Sequence, residues 1–215
     1  MVNSPHNPTG HLFSREEWRR IFELAARQDI IVFADEVYRY LEHDGEPLPW
    51  ACDIYENAVS LGVMSKSFGL PGLRIGWIAT RNNSIFKAMA AYKDYTTICN
   101  SAPSEFLATL ALRNRSHILE RNRGLIKDNL LLLEQFFTRH QERFEWLRPG
   151  AGPIAFPAFR GGVLASDYAN RLAAKAGILI LPGSCYDYDD RHFRIGFGRA
   201  NFPEVLRKWE EELGE

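Results

Sequence analysis

The sequence predicts an α/β fold, with a mostly parallel sheet and its helices in the first part of the chain and a small α+β part at the carboxyl end. Short apolar runs rich in β-branched residues alternate with segments of helical periodicity, which is typical of layered α/β folds. A Pro-Gly-Ala-Gly-Pro loop at 149–153 then separates these segments from shorter apolar runs. We therefore expect two parts with this loop as the boundary.

Signals for a helix and three strands follow one another in the first part. Ser14 and Glu17 have the spacing of a capping box, which predicts that a helix begins here. The apolar residues that recur at helical spacing, and predict its buried face, are Trp18, Ile21, Phe22 and Ala25. Residues 30–34 form a continuous apolar run, which predicts a strand buried on both faces as parallel sheets require. Two more strands are expected at 58–64 and 75–80.

Helical periodicity continues from residue 104 to about residue 140, and we expect a break in it around 114–116. Short apolar runs return after the loop at 149–153. The elements expected there are a helix at 167–176, strands at 178–181 and 193–197, and a final helix with Pro203 in its first turn, where helices accept proline.

Composition and charge narrow the class of protein. The 215 residues are 46% hydrophobic, enough for a core, and carry a net charge of −1. Because there is no basic excess, neither nucleic acid nor an anionic membrane is expected as a partner. The three cysteines and six histidines have no metal-ligand spacing, so no metal site is predicted. With no apolar stretch of transmembrane length and no signal peptide, the cytoplasm is the expected location.

Asp35 directly follows the apolar run at 30–34. Its carboxylate is therefore expected at the carboxyl end of the sheet, where open α/β sheets bind their ligands. A buried carboxylate at this place needs a cationic partner. Taken alone, Asp35 is better explained as a turn or helix-capping aspartate, so a functional interpretation depends on its neighbours.

Lys66 follows a second apolar run, in the segment Ser65-Lys-Ser-Phe-Gly69, and Arg74 lies eight residues further on. A partly desolvated lysine can form a Schiff base with an aldehyde, and an arginine presents a forked donor suited to a phosphate. Each alone would be an ordinary surface residue. Together with Asp35 they supply an amine, a cation with hydroxyls and a carboxylate, which are the groups that pyridoxal phosphate needs.

These segments resemble the successive motifs of the class I/II aminotransferases, which have the aspartate aminotransferase fold of fold type I pyridoxal-phosphate enzymes. The matching segments are Asn7-Pro-Thr-Gly10, Asp35-x-x-Tyr38, Ser65-Lys66, and Arg74 followed by Ile75-Gly-Trp77. The resemblance covers only the C-terminal part of the family. It implies that residues 1–113 are the C-terminal part of the cofactor-binding large domain, 114–148 a long connecting helix, and 149–215 a small C-terminal domain.

The resemblance implies pyridoxal 5'-phosphate as the cofactor and gives each motif residue a role. Lys66 would be the catalytic residue, forming a Schiff base with the cofactor and moving a proton at the substrate α-carbon. Asp35 would pair with the ring nitrogen, and Asn7 and Tyr38 would donate to the phenolate oxygen. We also expect a cis peptide bond at Asn7-Pro8, as in this family, since proline permits it.

Ser65 and Arg74 would hold the phosphate in the same way. Two later segments, Leu181-Pro-Gly-Ser184 and Phe193-Arg-Ile-Gly196, resemble the small-domain motifs of the family. By that match Arg194 would bind the α-carboxylate of the substrate, a planar task that suits arginine. The sequence departs from the family at Asp187, where a glycine is common after the aromatic residue.

The chain begins with Met-Val directly before a turn-rich segment, which indicates a start within a fold. In the family, the residues before this turn-rich segment supply further strands, a helix N-terminus for the phosphate and an aromatic residue that stacks on the ring of the cofactor. A cut sheet associates readily, so we expect a homodimer or pairing with a missing N-terminal half.

The favoured function is an N-terminally truncated aminotransferase acting on an amino acid and a 2-oxo acid. A lyase, racemase or cyclising synthase of the same fold, the sensor domain of a transcription regulator, and an inactive remnant remain as alternatives.

Overall fold

A four-stranded sheet forms the centre of the first of two units into which the chain divides. The computed structural model describes residues 1–214, and the first unit comprises Met1–His6 and His11–Asn122. Its strands lie side by side in chain order: β1 (Val2–Asn3), β2 (Val32–Asp35), β3 (Ala58–Val63) and β4 (Gly76–Thr80). The first three are parallel and β4 runs antiparallel to β3, so the prediction of a mostly parallel sheet is confirmed.

The capping box begins helix α1 (Arg15–Arg27) as predicted. The Glu17 backbone N–H donates to the Ser14 hydroxyl at 3.2 Å, and the Ser14 N–H donates to the Glu17 carboxylate at 2.8 Å. Trp18 and Phe22 then pack with residues of β2 and β3 in one core cluster. The remaining helices of this unit are α2 (Ala51–Ile54), α3 (Asn83–Asp94), α4 (Ala102–Arg113) and the start of α5 (Arg115–Arg139).

The strand predicted at 30–34 begins two residues late, and its expected burial on both faces is wrong at its start. Ile30 and Ile31 are 53% and 58% exposed. The Ile30 N–H donates to the Ala25 carbonyl at 3.0 Å, so the chain is still in the turn that ends α1. From Val32 onward, buried and half-buried residues alternate along β2.

The second unit comprises Asn7–Gly10 and Arg123–Glu215. It contains the rest of α5, helices α6 (Ala165–Ala176) and α7 (Phe202–Gly214), and two small antiparallel sheets. Strand β5 (Phe144–Glu145) pairs with β7 (Ala158–Phe159), and β9 (Phe193–Gly196) lies between β6 (Ile154–Ala155) and β8 (Leu181–Pro182). Aromatic rings in contact fill its core: Phe136, Phe144, Phe159, Phe193 and Trp209.

The two units meet along the chain at residues 122 and 123, inside α5, whereas the sequence suggested boundaries after 113 and 148. The break expected around 114–116 falls between α4 and α5. The strand expected at 178–181 is shorter than predicted, because only Leu181–Pro182 pairs with β9, although Ile178 and Ile180 are buried. Among residues 1–214, no helix combines the length and apolar character that a membrane crossing requires.

Candidate active site

Asp35 is the last residue of β2, and its backbone is fixed from the neighbouring strand. The Ser4 N–H and the Asn3 side-chain amide both donate to the Asp35 carbonyl at 3.0 Å. The Val37 backbone N–H donates to Oδ1 of the Asp35 side chain at 3.2 Å. Asp35 is half-buried, so its carboxylate is accessible to a cationic partner.

Lys66 lies in a tight loop that follows β3. The Gly69 N–H donates to the Lys66 carbonyl at 2.9 Å, and the Leu70 N–H donates to the Met64 carbonyl at 2.9 Å. The side chain of Lys66 is exposed, and its Nζ lies 5.6 Å from the centre of the Tyr38 ring. The buried ring of Tyr38 therefore lies within cation–π distance of the Lys66 amine.

Arg74 ends the short 3-10 turn Pro71–Leu73 in a left-handed backbone conformation, with φ of 53°. This conformation costs a non-glycine residue roughly 1 kcal/mol and directs the chain into β4. The exposed guanidinium donates to the Pro71 carbonyl at 3.0 Å. Ser65 is half-buried on the loop of Lys66.

In the second unit, Asn7 and Arg194 are in contact although 187 positions separate them along the chain. Arg194 Nη1 donates to Asn7 Oδ1 at 3.2 Å. Because arginine only donates, the contact uses the oxygen of the Asn7 amide. The guanidinium also lies 5.6 Å from the centre of the Tyr186 ring. Burial raises the pKa of the Tyr186 hydroxyl, although the positive charge of Arg194 acts to lower it.

The turn that carries Asn7 is held by the 149–153 loop. The N–H groups of Gly150 and Ala151 donate to the Gly10 carbonyl at 2.8 Å and 3.2 Å. Gly10 has a φ of +69°, and a Cβ atom there would lie 2.3 Å from the Pro149 side chain, so only glycine fits. The peptide bond between Asn7 and Pro8 is cis, as expected from the sequence.

Glu36, which the sequence reasoning passed over, is a buried acid beside Asp35. It is 3% exposed, accepts a hydrogen bond from the Ala51 N–H at 3.3 Å, and lies 3.7 Å from Arg39. Desolvation raises its pKa to about 7, despite the opposing effects of the hydrogen bonds from Ser60 and Ala51. Its position directly after an apolar strand could have revealed it, since the same position singled out Asp35.

The structure thus brings Lys66 and Tyr38 together in the first unit, and Asn7 and Arg194 in the second. The donor set fits pyridoxal phosphate, because an accessible amine lies over a tyrosine ring in a unit that also offers a carboxylate, a serine and an exposed guanidinium. A cavity of about 340 Å³ in the second unit has no part in this set. Its lining is Arg143, Tyr168, Arg171, Leu172, Lys175, Glu212 and Leu213.

Comparison with known proteins gives a consistent family. The family model for aminotransferase class I and II matches residues 1–207. Capreomycidine synthase from Streptomyces vinaceus is 28% identical over 216 residues, covering 100% of this chain and 55% of that protein. Among solved structures, a PLP-dependent aminotransferase from Streptococcus suis has a TM-score of 0.91 at 29% identity, covering 99% of this chain and 56% of that one. The PLP-dependent cyclase OrfR has a TM-score of 0.90 at 28% identity, covering 100% and 58%.

The chain therefore spans about half the length of the relatives that it matches. The match nevertheless extends over nearly all of its own residues, from the Asn7 turn to the last helix. This chain belongs to the class I and II aminotransferase family.

Proposed function

We propose that this chain is the lysine-bearing part of a pyridoxal-phosphate-dependent aminotransferase that acts on an amino acid and a 2-oxo acid. The observation that carries the proposal is the position of the Lys66 amine over the ring of Tyr38. Tyr38 lies three residues after Asp35 in the sequence. Membership of the aminotransferase family supports the same cofactor.

When bound, pyridoxal phosphate supplies an aldehyde that reacts with amines and a ring that withdraws electrons from the substrate α-carbon. Asp35 would hold a proton on the ring nitrogen through its carboxylate. Tyr38 would donate its hydroxyl proton to the phenolate oxygen, and the resemblance to the family gives Asn7 the same role. Lys66, once released by the substrate amine, would move the proton at the substrate α-carbon.

Three further residues would bind anionic groups. Ser65 and Arg74 would hold the phosphate, the arginine with a permanent charge and several donors. Arg194 would bind the substrate α-carboxylate, for which its contacts with Asn7 and Tyr186 orient the guanidinium in advance.

Covalent trapping of the cofactor on Lys66 tests this proposal directly. The purified chain is mixed with pyridoxal phosphate, reduced with borohydride and digested, and the modified peptide is identified by mass spectrometry. We expect the label on Lys66, a visible absorbance band before reduction, and loss of both in Lys66→Ala. The matched control, Lys87→Ala, removes an exposed lysine of α3 and should keep both. Absence of a specific label in the wild-type chain would refute the proposal for this chain.

Product analysis distinguishes amino transfer from the chemistry of the cyclase relative. An unreduced chain loaded with pyridoxal phosphate that converts amino acids to their 2-oxo acids, with the amino group retained on the cofactor, has the proposed function. A chain that instead returns a cyclised or eliminated product without amino transfer belongs with the alternative.

We also propose that the chain self-associates through an apolar surface of the first unit. Nine of the nineteen exposed large hydrophobic side chains among residues 1–214 lie within residues 78–112, and α3 has no buried residue. The members of this 78–112 surface are Ile78, Phe86, Tyr92, Tyr95, Ile98, Phe106, Leu107, Leu110 and Leu112. A concentration of exposed apolar side chains in one segment favours an interaction site, and a net charge of −1 gives little repulsion between copies.

Sedimentation equilibrium tests the self-association. We expect the wild-type chain to form a dimer, and Phe106→Lys to weaken that dimer at least tenfold. Leu24→Lys changes an exposed apolar residue of α1 outside this surface and should leave the dimer intact. A wild-type chain that sediments as a monomer would instead favour a separate polypeptide as the occupant of this surface.

A further inference from the structure

Ser67 connects the loop of Lys66 to the segment of Tyr38. Its side chain is 2% exposed, and its hydroxyl lies 3.1 Å from the Val37 carbonyl and also contacts the Arg39 carbonyl. These two carbonyls belong to the residues on either side of Tyr38. Because a hydroxyl has one proton, Ser67 shares it between both acceptors and holds the backbone of Tyr38 from both sides.

The same loop is also held by Asn122, a residue of α5. Its side-chain NH2 donates to the Ser67 carbonyl at 2.9 Å. The loop turns at Gly69, where φ is +66° and a Cβ atom would lie 3.3 Å from the Asn122 amide nitrogen. Ser67 is therefore fixed through its hydroxyl and through its carbonyl, whereas the adjacent Lys66 side chain is exposed.

We propose that Ser67 and Asn122 are positioning residues for Lys66, and that they fix the amine of Lys66 relative to the Tyr38 ring. Ser67 acts on both partners of this contact, since it follows Lys66 in the chain and binds the carbonyls that flank Tyr38. The consequence for chemistry, though not the contact itself, rests on the proposed function of Lys66.

Amide hydrogen exchange of the cofactor-free chain tests the contact itself. Loss of one neutral hydrogen bond should accelerate exchange of the Gly69 and Leu70 amides about three- to tenfold in Ser67→Ala. Asn122→Ala should have the same effect on the same amides. The matched control is Ser166→Ala, which removes a half-buried hydroxyl of α6 that donates to the Asp190 carboxylate. Equal exchange rates in Ser67→Ala, the control and the wild type would overturn the proposal.

The rate of Schiff-base formation with pyridoxal phosphate, followed by absorbance, tests the effect on chemistry. A less well positioned Lys66 amine should reach the aldehyde less often in the reactive geometry, so the rate should fall about three- to tenfold in Ser67→Ala. Ser166→Ala should keep the wild-type rate. An unchanged rate in Ser67→Ala would refute the positioning role. If the wild-type chain forms no Schiff-base absorbance band, the proposed function fails, while hydrogen exchange still decides whether Ser67 and Asn122 hold the loop.

Discussion

Replacing Glu36 by glutamine should make the protein more stable at neutral and alkaline pH. The pKa of Glu36 rises from its ordinary value of 4.5 to about 7, chiefly through desolvation. A carboxyl with a raised pKa binds its proton more tightly in the folded state, so its stabilising effect is present below about pH 4.5 and is lost as the pH rises through 7. At about 1.4 kcal/mol for each unit between the two pKa values, the ionised form destabilises the fold by about 3 kcal/mol.

Glutamine keeps an oxygen that can accept the Ala51 N–H but does not ionise. The free energy of unfolding, measured in urea by tryptophan fluorescence, should therefore increase in Glu36→Gln relative to wild type by up to about 3 kcal/mol between pH 5 and pH 8. Glu16→Gln, which changes an exposed carboxylate of α1, should give a nearly constant difference over the same range. A constant difference in Glu36→Gln as well, or one that grows more destabilising with pH, would contradict the reasoning.

Two further substitutions test the packing of each unit by the same unfolding measurement. Gly62→Ala should destabilise the chain by about 1–3 kcal/mol, because a Cβ atom would lie 2.4 Å from the Trp77 ring; Gly124→Ala, which meets no atom within 4 Å, should not destabilise it. Asn129→Ala should cost about 2–4 kcal/mol, since its buried amide donates to the Phe197 carbonyl at 2.7 Å and the Arg199 carbonyl at 2.9 Å; a loss below about 1 kcal/mol would show that these carbonyls find other donors.

Elements with strong local signals could be predicted from the sequence. The capping box at Ser14 specifies its helix because both hydrogen bonds join residues three positions apart. The boundaries of β2 were less predictable, since an apolar run alone does not reveal that Ile30 still belongs to the turn after α1. Helix α3 gave no clear pattern, because none of its residues is buried within this chain.

The candidate site could be anticipated as a set of motifs but not as an arrangement. Residues 7 and 194 meet although they are far apart in sequence, and no local pattern encodes such a contact. The grouping of Asn7–Gly10 with the second unit depends on a glycine packed against Pro149. Ser67 went unnoticed because serine beside the lysine reads as an ordinary turn residue until its two carbonyl partners are known.

The apolar 78–112 surface and the loop of Lys66 depend on the same helix. The inward face of α4 contributes Ala108 and Ala111 to a cluster with Met64 and Phe68, the residues that flank Lys66, while Phe106 and other residues of α4 point to solvent. Whatever covers the outer face also restricts the motion of the helix that supports the loop. Since a ligand and a partner that both prefer the same ordered state stabilise each other's binding, association and cofactor binding should be thermodynamically linked in this chain.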